Sequence, residues 1–140
     1  MSREIEFRAW LKNEKKMITK ISSIKLDINC IYYDNNQMFS YERASFDDIE
    51  LMQWTGIRDK NGVKIFEGDI LKHTFEYDNN GVIFEREEIL IVKYEKEWCQ
   101  FILEKAYDKD GNYYSFCEVD LDYLEVIGNV WEHEELLGEK

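Results

Sequence analysis

The chain contains no proline, and clusters of Asn, Asp and Gly separate short runs of β-branched and aromatic residues along its 140 residues. Runs of about 4–8 such residues, bounded by turn-forming residues, are typical of β-strands. The segment DNNG at 78–81 also contains Asn-Gly, a strong signal for a two-residue hairpin turn. The pattern therefore predicts a mainly β protein.

Two hairpins are predicted in the first third of the chain. EIEFRAW pairs with MITKISSI within 4–24, and INCIYY pairs with QMFSYER within 28–43. Ser45, followed by Asp47 and Asp48, predicts a short helical turn near 45–52, because a hydroxyl cap and acidic residues stabilise a helix N-terminus.

From residue 64 onward, five or so short strands of about 6–9 residues follow one another, which favours a small, strongly bent antiparallel barrel. The acidic end of the chain predicts a second short helical turn near 132–137. We therefore expect an N-terminal β portion over 1–63 and a barrel with its short helix over 64–140. No linker separates them, so they are expected to pack closely, either as two lobes or as one structural unit.

The net charge is −12 and is distributed unevenly. Residues 1–25 carry seven Lys or Arg and three Glu, a balance of +4, so the remaining residues carry −16. Duplex-binding surfaces are strongly basic, so direct nucleic-acid binding is not expected. Solvation of polar faces explains such asymmetry most simply. The alternative is a basic segment that docks on an acidic neighbour, such as another copy of the chain.

Cysteine usage and hydropathy predict a cytoplasmic protein without a metal or cofactor. Cys30, Cys99 and Cys117 are far apart and lack CxxC spacing, which indicates buried, reduced thiols rather than a disulfide framework or zinc site. No apolar run is long enough to span a membrane, and MSREIEFRAW lacks the apolar core of a signal peptide.

The search for catalytic groups predicts that the chain is not an enzyme. It contains no nucleophile elbow, Walker loop, dinucleotide fingerprint or zinc-binding helix motif. DKDGN at 108–112 lacks the ligand spacing of a calcium loop and is interpreted as a hairpin turn. His73, on an alternating strand, is expected to be a satisfied interior or rim residue, and His133 has no evident partner. The acidity leaves open a further alternative, imitation of the DNA phosphate array.

The stretch LMQWTGIRDKNGVKIFEGDI at 51–70 has two interpretations. In the first, its polar residues form a hydrolytic site, which requires convergence of Asp59, Lys60, Glu67 and Asp69 in a cleft. In the second, Asp59–Gly62 is a tight turn, with Asn61 and Gly62 at positive φ, and the apolar residues form a seam to the barrel. The second interpretation is favoured, and it leaves three exposed candidates for interaction: Gln53, Arg58 and Lys60.

Four blocks resemble the YopX family of phage and prophage proteins: IEFRAW, LMQWTGIRDKNG, IFEGDI and VIGNVW, in this order. Leu11 stands where family members commonly have Asp, and the terminal EHEEL lacks the usual Pro. The resemblance implies a C-terminal SH3-like barrel preceded by a smaller β portion, and implies no activity. The signature residues are Trp10, Trp54, Gly56, Gly62, Gly68, Asp69 and Gly128.

These observations lead to a main hypothesis and two alternatives. The main hypothesis is a phage or prophage protein in the bacterial cytoplasm that acts as a non-enzymatic, self-associating interaction module. One alternative is an acidic regulator or inhibitor of a host or phage protein, by DNA mimicry or otherwise. The other is a hydrolase of a small molecule or nucleotide that uses the polar residues of 51–70.

Overall fold

The structure is a computed structural model that describes residues 3–37 and 40–138. Most of these residues lie in strands that form curled antiparallel sheets of the half-barrel kind, which confirms the predicted fold class. The strands found there are β1 Phe7–Leu11, β2 Lys16–Ile18, β3 Ile21–Lys25, β4 Cys30–Asp34, β5 Tyr41–Ser45, β6 Ile49–Arg58, β7 Lys64–Phe66, β8 Asp69–Asn79, β9 Val82–Glu95, β10 Gln100–Lys105, β11 Tyr113–Ser115 and β12 Leu124–Asn129.

Both predicted helical turns are present as short 3₁₀ segments, at Phe46–Asp48 and Glu134–Leu137. Ser45 caps the first, because its hydroxyl accepts a hydrogen bond from the backbone N–H of Asp47 at 3.3 Å. The predicted hairpin of β4 with β5 forms. The first hairpin forms only in part: β1 pairs with β2, whereas Ile21–Lys25, predicted as the rest of the same partner strand, is a separate strand, β3, that pairs with β4 in the other sheet. Met38 and Phe39, within the predicted strand of the second hairpin, lie outside the described residues.

The chain divides into two compact units, one up to Trp54 and one from Thr55 onward. The division falls inside β6, so β6 belongs in part to each unit. The boundary expected after residue 63 stays a prediction.

The first unit packs two antiparallel sheets around one core. β1 lies between β2 and β6, and β4 lies between β3 and β5, so β3 is an edge strand. The core consists of Ala9, Leu11, Ile18, Ile31, Tyr33, Ala44 and Ile49. At its margin the Tyr33 hydroxyl donates to Glu42 Oε2 at 2.8 Å. Burial, reinforced by this bond to a carboxylate, raises the pKa of Tyr33 to about 12.

The second unit is a curled five-stranded antiparallel sheet with strand order β11-β10-β9-β8-β12. Its core consists of Ile65, Leu71, Leu90, Val92, Leu103 and Leu124. β12 runs along β8 and shifts register between Val126 and Gly128, so the predicted bulge at Gly128 is present. DNNG forms the β8–β9 turn, with Asn80 and Gly81 at positive φ.

Two sequence-based expectations about the second unit are wrong. The strands are not uniformly short, because β8 has 11 residues and β9 has 14. Of the three cysteines only Cys30 is buried; Cys99 and Cys117 are exposed free thiols. Cys99 lies in the β9–β10 turn with φ of 51°, and Cys117 lies in a 3₁₀ turn. Connecting segments run over the protein surface, which accounts for the exposure of both thiols.

Candidate interaction surface

Asp59 organises the turn that follows β6. Its side chain is 6% exposed, and Oδ1 accepts hydrogen bonds from the N–H groups of Asn61 and Val63, each at 2.9 Å. Oδ2 accepts from the N–H of Val126 in β12 at 2.8 Å. Gly62 has φ of 82°, but Asn61 does not have the positive φ that was predicted. The Asp59 carboxylate closes the turn instead, so one left-handed residue is sufficient.

The alternative interpretation of this stretch, a hydrolytic site, required four polar side chains, and three of them, Asp59, Lys60 and Asp69, make structural contacts. Both oxygens of Asp59 are occupied by backbone donors. Asp69 is 2% exposed and its Oδ2 accepts from the N–H of Phe66 at 2.8 Å. Lys60 Nζ lies 3.2 Å from Glu125 Oε2. These groups hold turns and strands together, which is a structural use of the carboxylates.

The three candidate interaction residues lie in or beside β6, in different units. Gln53 was expected to be exposed but is half-buried in the first unit, because it lies in β6 opposite Phe7 of β1. In the second unit, Arg58 Nη1 donates to the carbonyl of Gly62 at 3.0 Å, and Lys60 pairs with Glu125. Each of the two cations has a partner within the chain, and a role in binding another molecule stays a prediction.

The signature residues occupy positions where the fold requires their particular shapes. Trp10 and Trp54 are buried, and Gly56, Gly62 and Gly68 have positive φ. Gly128 lies against the ring of His133: an added Cβ would be 2.7 Å from His133 Cγ. The His133 Nδ1 accepts from the N–H of Asn129 at 3.1 Å, so His133 does have a partner, contrary to expectation.

The feature that stands apart from this scaffold is a hairpin, Thr74–Glu88, which we call the arm. β12 accompanies β8 only over Asp69–His73, and β10 accompanies β9 only over Leu90–Glu95. Beyond those points β8 and β9 pair only with each other among the described residues, up to Asn79 opposite Val82. Six cross-strand pairs give the arm a length of about 20 Å.

The two faces of the arm differ in chemistry, because residues directly opposite in an antiparallel pair share a face. One face carries Phe75, Tyr77, Phe84 and Arg86, with the Tyr77 and Phe84 rings stacked at 5.4 Å and Arg86 Cζ 5.1 Å from the Tyr77 ring centroid. The opposite, acidic face carries Glu76, Asp78, Glu85 and Glu87. Glu87 Oε1 lies 3.9 Å from Lys72 Nζ.

The tip of the arm is apolar and exposed. Val82, Ile83 and Phe84 are 55%, 68% and 43% exposed. A two-stranded ribbon is marginally stable in water on its own, and its outer edges present unpaired backbone donors and acceptors. Val82 and Phe84 lie on the aromatic face of the ribbon, whereas Ile83, opposite Asp78, lies on the acidic face. An exposed apolar tip on a ribbon with uncovered edges is a surface that another molecule can cover.

A polar and aromatic cluster anchors the base of the arm to the sheet. His73 Nδ1 lies 2.9 Å from Glu88 Oε1. The centroid of the His73 ring lies 5.4 Å from that of Phe75 and 5.9 Å from that of Tyr114. Burial, together with the Glu88 carboxylate, raises the pKa of Tyr114. Lys105 Nζ lies 4.8 Å from the Tyr114 ring, and its hydrogen bond to that tyrosine raises the pKa of Lys105. His73 is thus a satisfied residue, as predicted.

Within 3–37 and 40–138, no three His, Cys, Asp or Glu side chains are grouped so that they could hold a metal ion. None of the helices in the same ranges is long and apolar enough to cross a membrane.

Comparison with known proteins places the chain in a family. The family model described as YopX protein matches residues 6–138. The chain belongs to the YopX family. Among solved structures, it is similar to that titled "Crystal structure of protein EF1440 from Enterococcus faecalis", with 29% identity, a TM-score of 0.63, and coverage of 98% of this chain and 100% of that one. No curated protein matches.

The match to the YopX family model spans residues 6–138 and therefore includes the arm. The resemblance expected from the four sequence blocks is therefore confirmed. The YopX family is not known as an enzyme family, and membership names no reaction.

Proposed function

We propose that this YopX-family chain is a non-enzymatic interaction module that self-associates, and that the arm is the element through which it does so. The observation that carries the proposal is the exposed apolar tip, Val82, Ile83 and Phe84, at the end of a ribbon whose outer edges no described strand covers. Burial of such side chains against a partner is favourable by about 25 cal/mol per Å² of apolar surface. The setting proposed from the family resemblance is the cytoplasm of a bacterial host that carries a phage or prophage.

Light scattering of the whole chain at tens of micromolar tests self-association. We expect a mass above that of the 17.0 kDa monomer. Ile83→Lys places a charge at the most exposed apolar tip position and should weaken association about tenfold or more. Val63→Lys makes the same chemical change at another exposed position, 46% exposed in the turn after Asp59, and should leave the mass unchanged. A strictly monomeric wild type would sink the proposal.

A second candidate function is regulation of a host or phage protein by DNA mimicry. The acidic face of the arm favours it, because alternate residues of each strand place carboxylates about 7 Å apart on one elongated surface. Capture of a nucleic-acid-binding enzyme by a monomeric chain, with loss of capture after Glu76→Lys and Glu85→Lys, would favour mimicry over self-association. The hydrolase alternative has no supporting observation in the turn of Asp59.

A further inference from the structure

We infer that the arm of one copy docks in a groove on the first unit of a second copy. This inference rests on the proposed self-association and names the surface that receives the arm. The groove has a volume of about 440 Å³ and lies between the segment before β1 and the segment 19–24 that contains the start of β3. Its apolar walls include Ile5, Phe7, Ile21 and Ile24.

The groove is open enough to receive an apolar side chain. Ile5 is 57% exposed, and Ile21 and Ile24 are half-buried at the margin of the first core. β3 is an edge strand, so no further strand of its sheet covers this side among the described residues. Ile83 at the arm tip is of the size and polarity that such a groove accommodates, and its own chain leaves it 68% exposed.

Charge complementarity identifies a second copy as the occupant. The strip 15–25 (KKMITKISSIK) contains four Lys and no Asp or Glu, and all four lysines are exposed. Lys20 also lines the groove, together with a single carboxylate, Glu6. The arm contains five Asp or Glu and one Arg. The strip therefore carries +4 and the arm −4, in a chain whose net charge of −12 would otherwise oppose association with itself.

The contact is heterologous, because different surfaces of two copies meet. Each copy then offers one arm and one groove, so copies add head to tail. They either close into a ring or continue as an open filament. This property separates the inference from an arm-to-arm contact, in which the same surface of both copies would meet and association would stop at a dimer.

The test uses two variants of the whole chain and their mixture. The arm variant is Ile83→Lys, which keeps the groove intact. The groove variant combines Ile5→Asp with Lys20→Glu, two positions exposed enough to leave the core untouched. A matched control combines Trp98→Asp with Lys96→Glu in the β9–β10 turn, where both side chains are also exposed. Circular dichroism and thermal unfolding check that every variant folds as the wild type does.

We expect each variant alone to be monomeric at concentrations where wild type and control associate. In an equimolar mixture, the intact arm of the groove variant meets the intact groove of the arm variant. One working contact per pair remains, so sedimentation velocity should show heterodimers and nothing larger.

The outcomes that overturn the inference differ from those that overturn self-association. If the groove variant associates like the wild type while the arm variant does not, the groove is not the receiving surface. If both variants are monomeric and their mixture stays monomeric, the contact is not arm to groove. In either case self-association stands. A monomeric wild type overturns both the inference and the proposed function.

Discussion

At the scale of single residues, Asp59 joins two segments that are distant in sequence. Its carboxylate accepts hydrogen bonds from Asn61, Val63 and Val126, and it is almost fully buried. Asp59→Ala would leave backbone donors without an acceptor in a place that water reaches poorly. Since hydrogen bonds to charged groups contribute about 1.5–3 kcal/mol each and are not additive, we expect a loss of about 3 kcal/mol in the free energy of unfolding.

Denaturant unfolding measures this loss as a lower midpoint with an unchanged slope. Asp108→Ala is the matched control. Asp108 also accepts from a backbone N–H two residues later, at 2.8 Å, but in an exposed turn. Hydrogen bonds from Asp110 and Asn112 hold its pKa below the ordinary value, yet water can replace the lost acceptor there. Equal losses for the two variants would contradict the argument that burial makes Asp59 important.

Residue chemistry predicted some of these roles correctly and missed others for a physical reason. The cap by Ser45 and the positive φ of Gly62 follow from local preferences and are present. The bond from Val126 to Asp59 spans 67 positions and has no local signal. The same holds for His133 against Gly128, because only the path of the chain brings the ring there.

At the scale of elements, the hairpin turn at DNNG was predicted and is present, but the extension of the arm beyond its neighbouring strands was not predicted. Strands of about 6–9 residues were expected here, whereas β9 has 14 residues and includes the strongly charged run EREE at 85–88. In a ribbon with both faces in water, charged residues do not end a strand, so β9 continues through them. The two alternating runs of similar length on either side of DNNG were the available signal. The core of the barrel was easier to predict from the sequence than the arm, because its inward-facing apolar residues alternate with polar ones.

One cross-strand pair is expected to lower the stability of the arm. Glu76 lies directly opposite Glu85, and like charges at such positions destabilise a ribbon. Glu85→Lys would place an opposite charge beside Glu76 and should stabilise the arm by about 0.5 kcal/mol. Hydrogen exchange of the arm amides, measured in monomeric conditions, should slow accordingly.

Glu97→Lys in the β9–β10 turn is the control, because it changes the net charge equally without facing Glu76. Unchanged or faster exchange in the arm of the Glu85 variant would show that this pair does not limit its order. The same substitution makes the arm less acidic, so the proposed contact with the basic strip should weaken while the arm itself becomes more ordered. Slower hydrogen exchange in the arm together with weaker self-association would show that folding of the arm and its docking are separate properties.

At the scale of the whole molecule, charge is divided between the units. Residues 1–54 contain 8 Lys or Arg and 9 Asp or Glu, giving −1, whereas residues 55–140 contain 10 and 21, giving −11. The uneven distribution was visible in the sequence. The sequence did not show where these charges lie in the structure. Counting charges cannot reveal that acidic residues lie on a projecting ribbon and that lysines of 15–25 lie around a groove. Both depend on which strands find neighbours and which do not.

This division leads to a prediction about salt. Two copies with a net charge of −12 repel each other over long distances, while the arm and the strip attract at contact distance. The Debye length is about 8 Å at 0.15 M salt, so repulsion between distant charges is already weak there. Further salt acts mainly on charges in contact. Raising salt from about 0.15 M to about 0.5 M should therefore weaken self-association, which sedimentation velocity can measure. Ile83→Lys lowers association at both concentrations through the apolar part of the contact. Stronger association at the higher salt would mean that general repulsion still dominates and that burial of apolar surface alone, without the lysines of 15–25, holds the copies together.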